Sequence, residues 1–103
     1  MEKMKLYAKS FTNEENAVYQ LEYGLLIRSA EQGRICGVSV KKTDAAGKQE
    51  EESVEGLCES REEAEQFLFR LAEGLALPVE LAALCDDYIF EKEEEHTLAR
   101  VAS

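Results

Sequence analysis

Three thiols, one imidazole and, among the runs of adjacent carboxylates, Glu50-Glu51-Glu52 and Asp86-Asp87 are the groups in this chain that could do chemistry. Cys36, Cys58 and Cys85 stand far apart, with neither the CxxC motif nor the ligand spacing that gathers thiolates on zinc. A nucleophilic cysteine needs a base beside it, and the sole histidine, His96, lies in a charged C-terminal stretch. The thiols are therefore expected to be small buried apolar side chains. Glu50, Glu51 and Glu52 fall at the start of a predicted strand, where successive side chains point to opposite faces. Asp86 and Asp87 fall on a predicted helix, where neighbours diverge by about 100°. Neither run can close on one metal ion, and no loop has the alternating Asp/Asn positions and closing Glu that calcium takes. The serines have no base and no GxSxG elbow. The six glycines are isolated, so no phosphate-cradling loop is formed. No catalytic, cofactor or metal site is expected, and the chain reads as a non-enzyme. Tyr19, Tyr23 and Tyr88 fall on inward positions, where they either fill the core or line a pocket with their hydroxyls.

The elements that would position these groups are readable from periodicity. From Val18, the residues Tyr19, Leu21, Tyr23, Leu25 and Ile27 share one parity, which is the pattern of a strand with one buried face. Gly24 interrupts the other parity and marks a bulge or a close packing point. Ser29 to Gly33 reads as a turn, and Cys36, Val38 and Val40 as the inward set of a second strand. Asp44-Ala45-Ala46-Gly47 is the next turn, and a third strand runs from about Gln49 to Leu57. At Ser60 the period lengthens to that of a helix. Ser60-Arg61-Glu62-Glu63 fits a capping box, and Ala64, Phe67, Leu68, Leu71, Ala72 and Leu75 make one apolar face. Gly74 supplies a stop. Pro78 suits the first turn of a second helix, with Leu81, Leu84, Cys85, Tyr88 and Ile89 inward and an end near Phe90 or Glu91. The fold class is α+β: an antiparallel three-stranded meander followed by two helices packed on one face (βββαα), with residues 1–16 a polar arm or an extra N-terminal edge strand. Residues 17–90 form a single domain, and residues 91–103 an acidic tail, flexible or a frayed extension of the second helix.

Charge and leftover apolar residues speak to partners. Residues 50–103 hold sixteen Asp/Glu against four Lys/Arg, while residues 1–49 hold eight Lys/Arg against six acids. A net charge of −10 disfavours phosphate backbones and anionic membranes, so neither nucleic acid nor membrane is an expected partner. No apolar run reaches the length of a membrane span, the N-terminus lacks a signal-peptide core, and a cytoplasmic location is expected. Much of the acid has a local reason, because helix starts and solvent faces favour it. Glu50, Glu51, Glu52, Glu55 and Glu59, along the third strand and its exit, have none and form a candidate acidic patch. Phe69, Phe90, Val79 and Leu26 fall outside the predicted core and form a candidate protein interface.

Tyr19-Gln-Leu-Glu-Tyr-Gly-Leu25, Cys36-Gly-Val-Ser-Val40 with Lys41-Lys42, Glu52-Ser-Val-Glu55, Ser60-Arg-Glu-Glu-Ala-Glu65 and Pro78-Val-Glu-Leu81 leading to Asp87-Tyr88 carry a resemblance. Over residues 18–90 the chain resembles a family of short uncharacterised proteins from clostridia and related Firmicutes. The resemblance implies a bacterial cytoplasmic domain of unknown function and assigns no catalytic residue or cofactor. The residues themselves favour a small interaction or regulatory domain that self-associates as a homodimer. The alternatives are an acidic decoy for a basic partner, such as a nucleic-acid-binding protein, and a small-ligand binder built on the tyrosines.

Overall fold

A computed structural model describes residues 2–30 and 33–102, with side chains described through Lys92 except that of Ala30. Four strands, β1 (Glu2–Thr12), β2 (Val18–Ala30), β3 (Gly33–Thr43) and β4 (Gln49–Cys58), form one antiparallel sheet in chain order. Helix α1 (Arg61–Glu73), a 3-10 turn at Pro78–Glu80 and helix α2 (Leu81–Ala102) follow. The fold is α+β, with an antiparallel sheet and two helices; the sheet has four strands, the three of the meander and the N-terminal edge strand that stood as the alternative to a polar arm. The turn expected at Ser29–Gly33 includes Glu31 and Gln32, which lie outside the described residues.

β1 escaped the parity test because it carries a bulge. The register slips between Lys5 and Tyr7: Met4 sits opposite Leu25, and Tyr7 opposite Tyr23. Met4, Tyr7 and Phe11 therefore share the core face, although they do not share a parity. A two-residue alternation cannot be followed through a bulge, which adds one residue to one strand only.

The turns that join β1 to β2 and β3 to β4 are built alike. The Asn13 side chain accepts from the N–H groups of Glu15 and Ala17 at 2.9 and 3.0 Å, and Asp44 accepts from Ala46 and Lys48 at 3.0 and 2.8 Å. Each ends on a residue of positive φ, Asn16 at 64° and Gly47 at 89°. Asx side chains hold such turns by replacing missing backbone partners.

The core lies on one face of the sheet. Leu21, Tyr23, Leu25 and Ile27 of β2 and Cys36, Val38 and Val40 of β3 are covered by Ala64, Phe67, Leu68, Leu71 and Ala72 of α1 and by Leu81, Cys85 and Tyr88 of α2. Ile89, placed in the inward stripe by periodicity, is exposed instead. α1 starts as expected, with the Ser60 Oγ accepting from Glu63 N–H at 3.2 Å. The reciprocal half of the capping box is replaced: the Glu63 carboxylate turns to Lys92 Nζ at 2.6 Å. A second reach-back occurs at the 3-10 turn, where Leu77 N–H donates to Glu80 Oε1 at 2.9 Å.

Two boundaries differ from the reading of the sequence. α2 continues to Ala102 rather than ending near Phe90 or Glu91. No Gly or Pro interrupts the residues after Pro78, and Glu, Lys, Ala, Leu and Arg are good helix formers. The side chains of residues 93–102, which include His96, lie outside the description. At the end of α1, Gly74 has an ordinary φ of −86°, and Leu75 takes the left-handed position at 51°. Leu75 N–H donates to Ala72 O at 3.1 Å and Ala76 N–H to Leu71 O at 3.0 Å, a Schellman closure displaced one residue past the glycine. Because a side chain in that region costs about 1 kcal/mol, Leu75→Gly should stabilise the protein by roughly 0.5–1 kcal/mol. Urea unfolding would show it; Leu75, placed on the apolar face of α1 by periodicity, lies past the helix end and is exposed, and no gain would mean that its remaining contacts offset the strain.

The face away from the helices is laced with ion pairs. Lys3 meets Glu51 at 2.9 Å, Lys5 and Lys41 meet Glu22 at 3.4 and 3.2 Å, and Arg28 meets Glu55 at 3.9 Å. Lys3 reaches from one edge strand to the other by crossing Gly24, its Cε 3.6 Å from where a Cβ would stand. Hydrogen bonding to Lys41 holds the Glu22 carboxyl below its usual range, although partial burial opposes the effect. Exposed pairs of this kind contribute about 0–1 kcal/mol each.

Candidate functional site

The groups that could do chemistry are mostly put to structural use. Cys36 and Cys58 face each other across β3 and β4, a cross-strand relation that their sequence spacing hides. Cys58 donates its thiol hydrogen to Ser60 O at 3.3 Å. Burial pushes the Cys58 thiol up, with Cys36 beside it adding to the effect, and burial pushes Cys85 to about 11. Both are protonated near neutral pH and are poor nucleophiles. Among the described residues, no group of three or more His, Cys, Asp or Glu is placed to hold a metal ion. No described helix is long and apolar enough to cross a membrane.

The three tyrosines do not share a pocket. Tyr23 is fully buried and donates to Ala76 O at 2.9 Å, which ties β2 to the loop after α1. Tyr19 stacks on Phe11 with ring centres 5.2 Å apart, under Lys42 at 4.5 Å, and accepts from the Asn13 amide at 3.3 Å. Tyr88 borders a cleft between the helices, and Tyr19 a smaller recess of about 180 Å³ with Lys42, Asp44, Lys48 and Glu50.

The candidate interface residues are divided between faces. Leu26 lies on the ion-paired face, in register with Lys3 and Gly37, and is only 6% exposed. Phe69, 48% exposed, leans edge-on against Tyr7 at 5.9 Å and so clasps α1 to β1. Val79 and Phe90 stand out at 81% and 66% exposure on the 3-10 turn and α2. The candidate acidic patch is divided as well. Glu50 and Glu52 pair in register with Lys42 and Val40 on the helix side, whereas Glu51 and Glu55 meet Lys3 and Arg28 on the other. Glu59 is exposed in the link to α1. The structure therefore does not bring the five together.

The concave feature that sequence reasoning missed lies between α1 and α2. Phe67 of α1 and Tyr88 of α2 stack with centres 4.5 Å apart, and the Arg70 guanidinium stands 5.7 and 6.0 Å from the two rings. Beside this stack a cleft of about 330 Å³ opens, with Leu71 and Leu84 on its floor and Glu80, Asp87 and Glu91 around it. Burial pushes the Tyr88 hydroxyl up. It has no hydrogen-bond partner among the described residues. Lys92 Nζ stands 5.7 Å from the Tyr88 ring and is held charged chiefly by its bond to Glu63. A signal was present in the sequence: Phe67 and Arg70 are three apart, as are Leu84 and Asp87, which places each pair on one helix flank. What was hidden is that the two flanks face each other.

Residues 2–91 match the model of a family of unknown function, DUF6514, and the chain belongs to that family. The match takes in β1, which the resemblance over residues 18–90 left out. Comparison with curated proteins finds no match, and comparison with solved structures finds none either.

Proposed function

We propose that this protein is a small non-enzymatic interaction domain that self-associates through the solvent side of α2. The observation that carries this is the exposure of Val79 and Phe90, the two most exposed large apolar side chains of the described residues. They are eleven residues apart, about three helical turns, and so lie close to one line, with Ala83 between them. This line is opposite the buried stripe of Leu81, Cys85 and Tyr88. Two copies of α2 crossing antiparallel at the level of Leu84 and Cys85 would set Phe90 of each against Val79 of the other, a self-complementary contact with a twofold axis. Covering an aromatic and a valine on each copy favours association, but so small a contact leaves it weak. A basic partner docked on β4 has less support, since Glu51 and Glu55 already face cations within the chain.

Charge sets the salt dependence. Two copies that each carry −10 repel, so screening should strengthen this dimer, the reverse of what a basic partner would show. Light scattering after size exclusion, at high protein concentration and in low and high salt, should give a mass that climbs toward the dimer and climbs further in salt. Phe90→Ser should return the protein to a monomer with unchanged unfolding, because Phe90 supports no part of the core. A strict monomer in high salt, or a Phe90→Ser mass profile equal to that of the parent, would remove the basis for the proposal.

A further inference from the structure

The cleft between the helices adjoins a second recess of about 580 Å³, and the two share Arg70 and Tyr88. Together they form a groove that reaches along α2 from Glu80 to Lys92, about 18 Å at the rise of a helix, and extends over α1 as far as Phe69 and Tyr7 of β1. Two features of this groove point to one kind of occupant. Its floor is apolar, formed by Phe67, Leu71, Leu84 and the Tyr88 ring. Its lining holds six carboxylates against the cations Arg70 and Lys92; Glu63 is paired with Lys92 and Glu65 with Arg61, which leaves Glu62, Glu80, Asp87 and Glu91 outside any ion pair among the described residues.

We infer that this groove binds a basic amphipathic helical segment of a partner protein. Its leucine-like side chains lie on the apolar floor, and its lysines or arginines reach the carboxylates above. An apolar groove of this length suits about three turns of helix. Its acidic lining selects a basic ligand over a second copy of this chain, whose α2 carries Asp86, Asp87 and Glu91 and would bring like charge to like charge. Phe90 is not among the residues that line either recess, so the inference stands apart from self-association.

A fluorescein-labelled synthetic helix with leucines on one face and lysines on the other serves as the probe, read by fluorescence anisotropy. Binding should weaken with added salt. Neutralising Asp87→Asn together with Glu91→Gln should weaken it about tenfold or more, the equivalent of about 1.4 kcal/mol. Neutralising Glu50→Gln together with Glu52→Gln, the same charge change on β4, should leave it nearly unchanged. Amide shifts on titration should centre on Leu71, Leu84, Asp87 and Tyr88. Phe90→Ser, which removes the dimer contact, should bind the probe as the parent does. Equal losses from the two neutralised pairs would mean diffuse attraction to a negative protein and would overturn the inference. So would equal affinity for a scrambled peptide of the same charge without an apolar face, or amide shifts centred on β4.

Discussion

Gly37→Ala should be the most damaging methyl group that can be added to this chain. A Cβ on Gly37 would be driven onto the carbonyl oxygen of Val54 and would stand 2.9 Å from Glu55 Cα. Both are backbone atoms of the neighbouring strand, so no side-chain rotation relieves the clash. β3 or β4 must move, and the register there is already interrupted between Cys36 and Val38. Inserting volume into a packed site costs about 1–3 kcal/mol where side chains can adjust; here the backbone must adjust, and the cost should be about 3 kcal/mol or more. That is a large part of the roughly 5–15 kcal/mol that a domain of this size has in total. Two controls separate this close approach from a general glycine effect. Gly24→Ala meets the Ser39 Oγ at 2.7 Å, the movable end of a side chain, and should cost about 1 kcal/mol or less. Gly74→Ala has an ordinary φ and meets Arg70 O at 3.4 Å, so it should be near neutral. Urea unfolding of the three variants tests the order. A Gly37→Ala protein within about 0.5 kcal/mol of the parent would show that β3 and β4 are held less tightly than this spacing implies.

The same pair of strands shows what could and could not be read from residues alone. β2 and β3 were legible because each buries one face and exposes the other, so parity reports burial directly. α1 was legible because Ser60, an acidic first turn and a six-member apolar stripe agree, all of it buried except Leu75. β1 was legible only as an alternative to a polar arm, because its bulge moves the inward positions from even to odd numbers. Leu26 was placed outside the core by parity, correctly as to face. Its burial depends on neighbours from β1 and β3 that no local pattern specifies. The acidic run on β4 reads as one patch in sequence and becomes two half-patches in the sheet, one of them already facing Lys3 and Arg28. The groove between the helices was the least legible feature. Each helix advertised its own flank, but the separation of α1 and α2 is fixed by how both lie on the sheet, through contacts remote in sequence.

Above pH 9 the fold should lose stability steeply, for reasons set by two buried groups. Tyr23 is held to about 12 by burial, with Glu80 adding to the effect, and Cys85 to about 11 by burial, with Asp86 adding to it. Their ordinary values are 10 and 9. Both are neutral acids whose proton the native state holds more tightly than the unfolded chain does. Their contribution is therefore complete below pH 9 to 10 and disappears as the pH rises through the folded values. Each spans about two pH units, or roughly 2.7 kcal/mol at 1.36 kcal/mol per unit. The Cys85 share should go between about pH 9 and 11, and the Tyr23 share between about pH 10 and 12. Cys58 and Tyr88 are raised as well and push in the same direction. Urea unfolding in reductant, followed by circular dichroism from about pH 8 to about pH 12, should trace this fall. Tyr23→Phe isolates one arm. At pH 8 it should be less stable than the parent by about 1–1.5 kcal/mol, since it gives up the 2.9 Å bond to Ala76 O. The phenylalanine has no proton to lose, so the deficit should shrink as the pH rises and vanish near pH 11, where the parent has lost about 1.4 kcal/mol through Tyr23 alone. Beyond that point the variant should be the more stable of the two. Parallel curves, with the deficit constant across the whole range, would show that Tyr23 ionises in the fold as easily as in the unfolded chain. Its hydroxyl could not then be the water-excluded tie between β2 and Ala76 on which the closure after α1 depends.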